Sequence, residues 1–228
     1  MKTLSIDIET YSEASLSAAG VYRYAADQSF TILLFAYSVD AGEVQIVDLA
    51  QGESLPAEVE AALSDPSVQK WAFNAQFERV CLSAYLGERL DPRGWYCSMV
   101  WSTYAGIPLN LAGVAQALHL ETEKMSEGKD LIRKFSQPCK ATKTNGGRTR
   151  NLPEHAPEDW ETFKSYCIRD VEVERAISAR LSPLPMPAFE WENYWRDQRF
   201  NDMGVGIDVE LASKAVEADL EIKEALYT

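Results

Sequence analysis

Thr3-Leu4-Ser5-Ile6-Asp7-Ile8-Glu9-Thr10 is the stretch on which the fold turns. Leu4, Ile6 and Ile8 alternate with polar residues, which is the two-residue period of a strand. Asp7 and Glu9 therefore share one face, about 7 Å apart by the rise of a strand. Carboxylates are depleted in strands, and a close pair near a core repels and sheds hydration at a cost. A hard divalent cation held between them relieves both penalties. An edge strand with its acidic side in water accommodates them equally well. This stretch alone leaves the two readings open.

Working outward, 228 residues are enough for one sizeable core, or for a core plus an appendage. Hydrophobic residues at 46% and charged residues at 25% are ordinary for a globular protein. The formal net charge of -13 does not suit a protein that coats nucleic acid, which is usually basic. A catalyst that holds metals with carboxylates can be acidic and still meet DNA through a local basic strip. Cys81, Cys97, Cys139 and Cys167 are scattered without a Cys-x-x-Cys pair, and His119 and His155 are the only histidines. That argues against zinc and for a reducing compartment, where dispersed cysteines act as small buried hydrophobes. Asp7 and Glu9 interrupt what would be the apolar part of a secretory signal. The longest apolar run, residues 32–37, is too short to span a bilayer. The expectation is a soluble, cytoplasmic protein with no membrane partner.

After the first strand, residues 11–29 read as a polar loop carrying Tyr22, Arg23 and Tyr24. An arginine flanked by aromatics can stack bases or grip phosphate, or the tyrosines can pack on the domain edge. Strands are expected over 31–39, 44–47, 70–73 and 95–98. Helices are expected over 56–63, 74–86 with Asn74 as its N-cap, 99–104 and 111–118. Residues 124–150 change character: Lys129, Arg133, Lys134, Lys140, Lys143, Arg148 and Arg150 face only Glu127 and Asp130. A basic excess inside an acidic chain favours a phosphate-contacting loop over a solubilising one. Residues 157–181 form the longest helix candidate, with Tyr166 and Asp170 one turn apart on one face. The Pro-rich stretch 182–187 is the best boundary. A helix over 189–202, a short strand over 205–207 and a last helix capped by Asp208 follow. That helix is still running at Thr228, which suggests a piece of something longer.

Four acids thus fall on three elements: Asp7 and Glu9 on the first strand, Glu78 on a middle helix, Asp170 on a late one. The layout resembles the DEDD superfamily of 3′–5′ exonucleases. Asp7-Ile8-Glu9 matches its Asp-x-Glu motif. Asn74-Ala75-Gln76-Phe77-Glu78 matches Asn-x-x-Phe-Asp, with glutamate in place of aspartate. Tyr166-Cys167-Ile168-Arg169-Asp170 matches Tyr-x-x-x-Asp of the tyrosine subclass, since Ser165 and Tyr166 stand where the other subclass carries histidine. Each motif is common by chance, but the ordered set is specific. Gly20-Val21-Tyr22-Arg23-Tyr24 and residues 129–153 are similar to the N-terminal exonuclease region of bacteriophage family A DNA polymerases. Met203-Gly204-Val205-Gly206-Ile207-Asp208 is similar to the entry into such a polymerase domain.

The resemblance implies an α/β, ribonuclease H-like mixed sheet flanked by helices over residues 1–182. A C-terminal helical appendage over 183–228 would begin a polymerase region of the same longer chain. It implies a 3′–5′ exonuclease that proofreads single-stranded DNA 3′ ends with two divalent ions, Mg²⁺ or Mn²⁺. Asp7, Glu9, Glu78 and Asp170 would hold the metals. Asp7 would bridge them, Glu9 and Asp170 would complete the ion that holds the water, and Glu78 would act mainly through water. Tyr166, too weak an acid to be the base with an unperturbed pKa of about 10, would orient the attacking water. Asn74, Phe77, Tyr22, Arg23, Lys140, Lys143, Arg148 and Arg150 would contact nucleic acid. An RNA 3′-end exonuclease of the same superfamily, and an inactive DNA-holding module, are the alternatives. The alternative role for Glu78 is a partner for its helix dipole.

Overall fold

A computed structural model describes residues 1–120 and 128–227. By internal contacts the chain divides after Trp195. The first unit is built on a five-stranded mixed sheet in the order β3-β2-β1-β4-β5. Its strands are β1 (Thr3–Tyr11), β2 (Thr31–Val39), β3 (Gln45–Asp48), β4 (Gln69–Ala72) and β5 (Trp95–Cys97). The acidic strand β1 is central, antiparallel to β2 and parallel to β4, so the solvated-edge alternative is excluded. The helices of this unit are α1 (Leu16–Ala25), α2 (Ala57–Ser64), α3 (Ala75–Leu86), α4 (Ser98–Tyr104), α5 (Leu111–Ala117), α6 (Gly128–Phe135) and α7 (Pro157–Leu181), with the first half of α8 (Ala188–Met203).

Alternation along β1 decides which layer each residue joins. Leu4, Ile6 and Ile8 enter a core with Val80, Cys81 and Leu82 of α3 and Val59 of α2. On the opposite face, Leu34 and Ala36 of β2, the cross-strand neighbours of Glu9 and Asp7, pack with Phe163, Cys167 and Val171 of α7. The register shifts between Glu9 and Thr10, where β2 carries an extra residue. A bulge of this kind sharpens the twist and re-aims side chains. Here Ile8, Glu9, Thr10 and Tyr11 are all buried in succession.

Two expectations are corrected. Residues 16–25 are helical, not a loop. Gly20 (φ 74°) breaks the run in its middle, a conformation that costs glycine little and hides the helix from a periodicity search. Residues 205–207 form no strand. A helix within the basic segment, α6, was not anticipated; its Leu131 and Phe135 are buried under a charged exterior. The part of that segment at 124–127 lies outside the described residues, as does Thr228.

In the unit from Arg196 onward, the end of α8 is followed by α9 (Val209–Tyr227). Asp208 caps α9 as expected, its Oδ1 accepting from the Leu211 N–H at 3.0 Å. Among the described residues no helix is long and apolar enough to cross a membrane.

Candidate active site

Strand pairing makes the notch in which the acids meet. β4 runs beside β1 only from Thr3↔Gln69 to Ser5↔Trp71. Beyond that point β1 continues through Asp7 and Glu9 while the β4 chain turns away into α3. The turn is made at Asn74, whose backbone is left-handed at φ 77°. Asparagine tolerates that region better than most residues. Asn74 holds the N-cap position but makes no side-chain cap bond, so the expected capping role is corrected. The Asn74 carbonyl instead accepts from Phe77 N at 2.8 Å. The first turn of α3 then brings Glu78 to the carboxyl ends of two parallel strands, the usual place for a ligand in such a sheet.

Asp7, Glu9, Asn74, Phe77, Glu78, Tyr166 and Asp170 line one cleft of about 900 Å³. α7 supplies Tyr166 and Asp170 from consecutive turns of its buried face. Among the described residues no three His, Cys, Asp or Glu side chains converge closely enough to form a metal cage. The acids are therefore spaced around a cleft rather than closed into a cage.

Glu78 is 4% exposed, and its Oε2 has no hydrogen-bond partner. Burial, then the charge of Asp7, pushes its carboxyl well above the usual range. Glu174, a buried carboxylate one turn beyond Asp170, adds to that push while accepting from Ser178 Oγ at 2.8 Å. A carboxyl held neutral by burial gains little from the helix dipole, although Glu78 does stand in the first turn of α3. Tyr166 is 1% exposed, its ring stacked on Phe163 with centroids 6.2 Å apart. Burial, with Asp170 and Glu9 beside it, raises its pKa. At ordinary pH the phenol therefore stays protonated.

Several residues of the cleft were not foreseen. Ser12, Leu16, Ser17, Ile132, Ser136 and Pro138 also line it. Ser136 is 8% exposed with its Oγ unpartnered, yet nothing in its sequence setting distinguishes it. Gly128 abuts the Tyr166 ring so closely that a Cβ would sit 2.1 Å from Tyr166 Cε2. Cys167 Sγ donates to Asp7 Oδ2 at 3.4 Å. The Tyr-x-x-x-Asp pattern leaves that position blank.

The expected nucleic-acid contacts divide. Tyr22 and Arg23 lie on α1 and do not line the cleft, whereas Tyr24 does, with its hydroxyl 2.8 Å from Thr10 Oγ1. Arg148 is occupied within its own loop, donating to Asn151 Oδ1 at 2.9 Å and Asn145 O at 3.1 Å. Arg150 covers the Tyr11 ring at 3.9 Å from its centroid; burial of the guanidinium lowers its pKa, partly offset by Tyr11 and Glu13. Lys140 and Lys143 are exposed.

No family model matches the chain. Over 226 residues, 99% of its length, it is 52% identical to a DNA polymerase of Bacillus phage SP02. The chain is a homologue of part of a phage DNA polymerase. It spans about a third, 35%, of that relative's length. Solved structures with the same architecture include Trypanosoma brucei RNase D in complex with GMP (TM-score 0.55, 20% identity, covering 86% of this chain and 56% of that one). Escherichia coli RNase D, an exoribonuclease, gives TM-score 0.52 at 13% identity, covering 90% of this chain and 46% of that one. Brucella melitensis NrnC with bound Mg²⁺ gives 0.53 at 14%, covering 90% and 87%. At such identities the likeness shows the fold alone, and that fold is the ribonuclease H-like one of these nucleases.

Proposed function

We propose that this chain is the 3′–5′ exonuclease module of a phage DNA polymerase, hydrolysing the terminal phosphodiester of single-stranded DNA 3′ ends. The observation that carries the reading is the buried, unpartnered Oε2 of Glu78 in a cleft it shares with Asp7, Glu9 and Asp170. Carboxylates gathered round one cleft raise each other's cost of ionisation, as the charge of Asp7 does for Glu78, and a divalent cation relieves that cost. Mg²⁺ suits spaced carboxylates better than a closed cage, because it keeps water and takes substrate phosphate oxygens as well. The residues present therefore fit a pair of divalent ions, Mg²⁺ or Mn²⁺. Bound there, such ions supply an acidic water and charge stabilisation at the leaving 3′ oxygen.

The chain's own residues do the rest. Asp7, on the central strand, would hold the ions together with Glu9, Glu78 and Asp170, which line the same cleft. Tyr166 holds a neutral hydroxyl that orients the attacking water. Phe77, Leu16 and Ile132, which line the cleft, offer apolar surface to the terminal nucleotide. Residues 183–228 lead, on this reading, toward a polymerase region, and the setting is the cytoplasm of an infected cell. DNA is favoured over RNA because the relative at 52% identity is a DNA polymerase, while RNase D shares only the fold.

Parallel 5′-labelled DNA and RNA oligonucleotides with Mg²⁺ test this. Stepwise shortening of the DNA, with RNA slower, is expected. Intact DNA beside degraded RNA favours the ribonuclease, and two intact strands leave an inactive binding module.

A further inference from the structure

We propose that Cys167 is a positioning residue whose thiol fixes the carboxylate of Asp7 for metal binding; this rests on the metal reading above. Cys167 is fully buried on α7, between Tyr166 and Asp170 on the face that packs against the sheet. Its Sγ lies 3.4 Å from Asp7 Oδ2 and 3.7 Å from the Asp7 backbone carbonyl. The single S–H can serve only one of these acceptors at a time, and the carboxylate oxygen is both the nearer and the more strongly charged. A neutral S–H beside a carboxylate is a donor. A donor on one oxygen limits rotation of the carboxyl group and leaves the other oxygen directed elsewhere.

Sulfur suits the place for two reasons. Hard cations take oxygen ligands, so a thiol does not compete with Asp7 for Mg²⁺ as a further carboxylate would. The thiol is also small and apolar enough to sit among Leu34, Ala36 and Val171, where a larger polar donor would be costly. Partners of metal-binding carboxylates in general orient them and tune affinity.

The test compares wild type, Cys167→Ala, Cys167→Ser and Asp7→Ala, each checked for folding by circular dichroism. Free Mn²⁺ is counted by its paramagnetic resonance signal, without DNA. Asp7→Ala should lose most binding. Cys167→Ala should bind Mn²⁺ about tenfold more weakly. Cys167→Ser, which keeps a donor, should stay within about twofold of wild type. Wild-type affinity in Cys167→Ala, with loss in Asp7→Ala, overturns the inference. So does a serine variant as weak as the alanine one, which would make the effect one of packing. Equal binding by wild type and Asp7→Ala sinks the metal reading itself, and this inference with it.

Discussion

Glu78 has one methylene more than the aspartate that the resembling family carries in its second motif. Its burial and its unpartnered oxygen make the charge, not the length, the feature to test. Glu78→Asp should keep substantial cleavage, because an ordered water fills the gap. Glu78→Gln should lose about 10–100-fold and need more Mg²⁺. Titrating rate against Mg²⁺ in the three proteins checks both; identical curves for wild type and Glu78→Gln would remove Glu78 from the site. Gly128 offers a second residue-level test. A methyl group there collides with the Tyr166 ring, and overpacking a buried site typically costs about 1–3 kcal/mol. Gly128→Ala should lower both stability in urea and kcat by displacing the hydroxyl, with Mn²⁺ affinity near wild type. A kcat as high as wild type would mean that Tyr166 tolerates displacement.

Elements differed in how well their sequence announced them. α7 runs from Pro157 to Leu181 as expected, because it opens on Pro-Glu-Asp and carries neither Gly nor Pro further in. β2 also matches, as a continuous apolar run buried on both faces. α1 is hidden because Gly20 breaks its period, and α6 because its charged residues outnumber the buried Leu131 and Phe135. The four acids were legible because each stands on a motif of fixed spacing. Ser136, Gly128 and Cys167 were not, because what singles them out is a neighbour distant in sequence. The basic segment now separates by exposure. Lys140→Ala with Lys143→Ala should flatten the salt dependence of single-strand binding by about 1.4 in log–log slope. Arg148→Ala should mainly cost stability. An unchanged slope in the double variant makes the lysines a solvated surface.

β4 adds a pH dependence. Lys70 is 1% exposed, with Nζ donating to Asp65 O at 2.7 Å, and burial lowers its pKa to about 8. The unfolded chain keeps that proton up to the ordinary value of 10.5. Between those values the unfolded state binds more protons, so stability gains with rising pH. Relative to Lys70→Met, wild type should therefore gain thermal stability between pH 7 and pH 10. A difference in Tm that does not move with pH would mean that the ammonium is well solvated.

At the scale of the molecule, the sheet places acids from β1, α3 and α7 around one cleft, and it does so in a chain homologous to part of a phage polymerase. Division into a sheet-based unit and a following helical one is read from contacts, with the break after Trp195. The earlier boundary at the Pro-rich stretch 182–187 marks where the chain leaves α7, while the first half of α8 still packs Trp191 and Tyr194 onto the β5 side. Trp195 Nε1 also donates to Trp95 O at 2.7 Å. Composition gave no sign of that docking, since α8 is rich in charge as well as in aromatics. The central claim is that the cleft degrades DNA from the 3′ end through Asp7. It is tested most directly by a 5′-labelled single strand incubated with Mg²⁺ and either wild type or Asp7→Ala. Wild type should give a descending ladder of products, and Asp7→Ala, equally folded, should leave the strand intact. A ladder of near wild-type rate from Asp7→Ala would contradict the account.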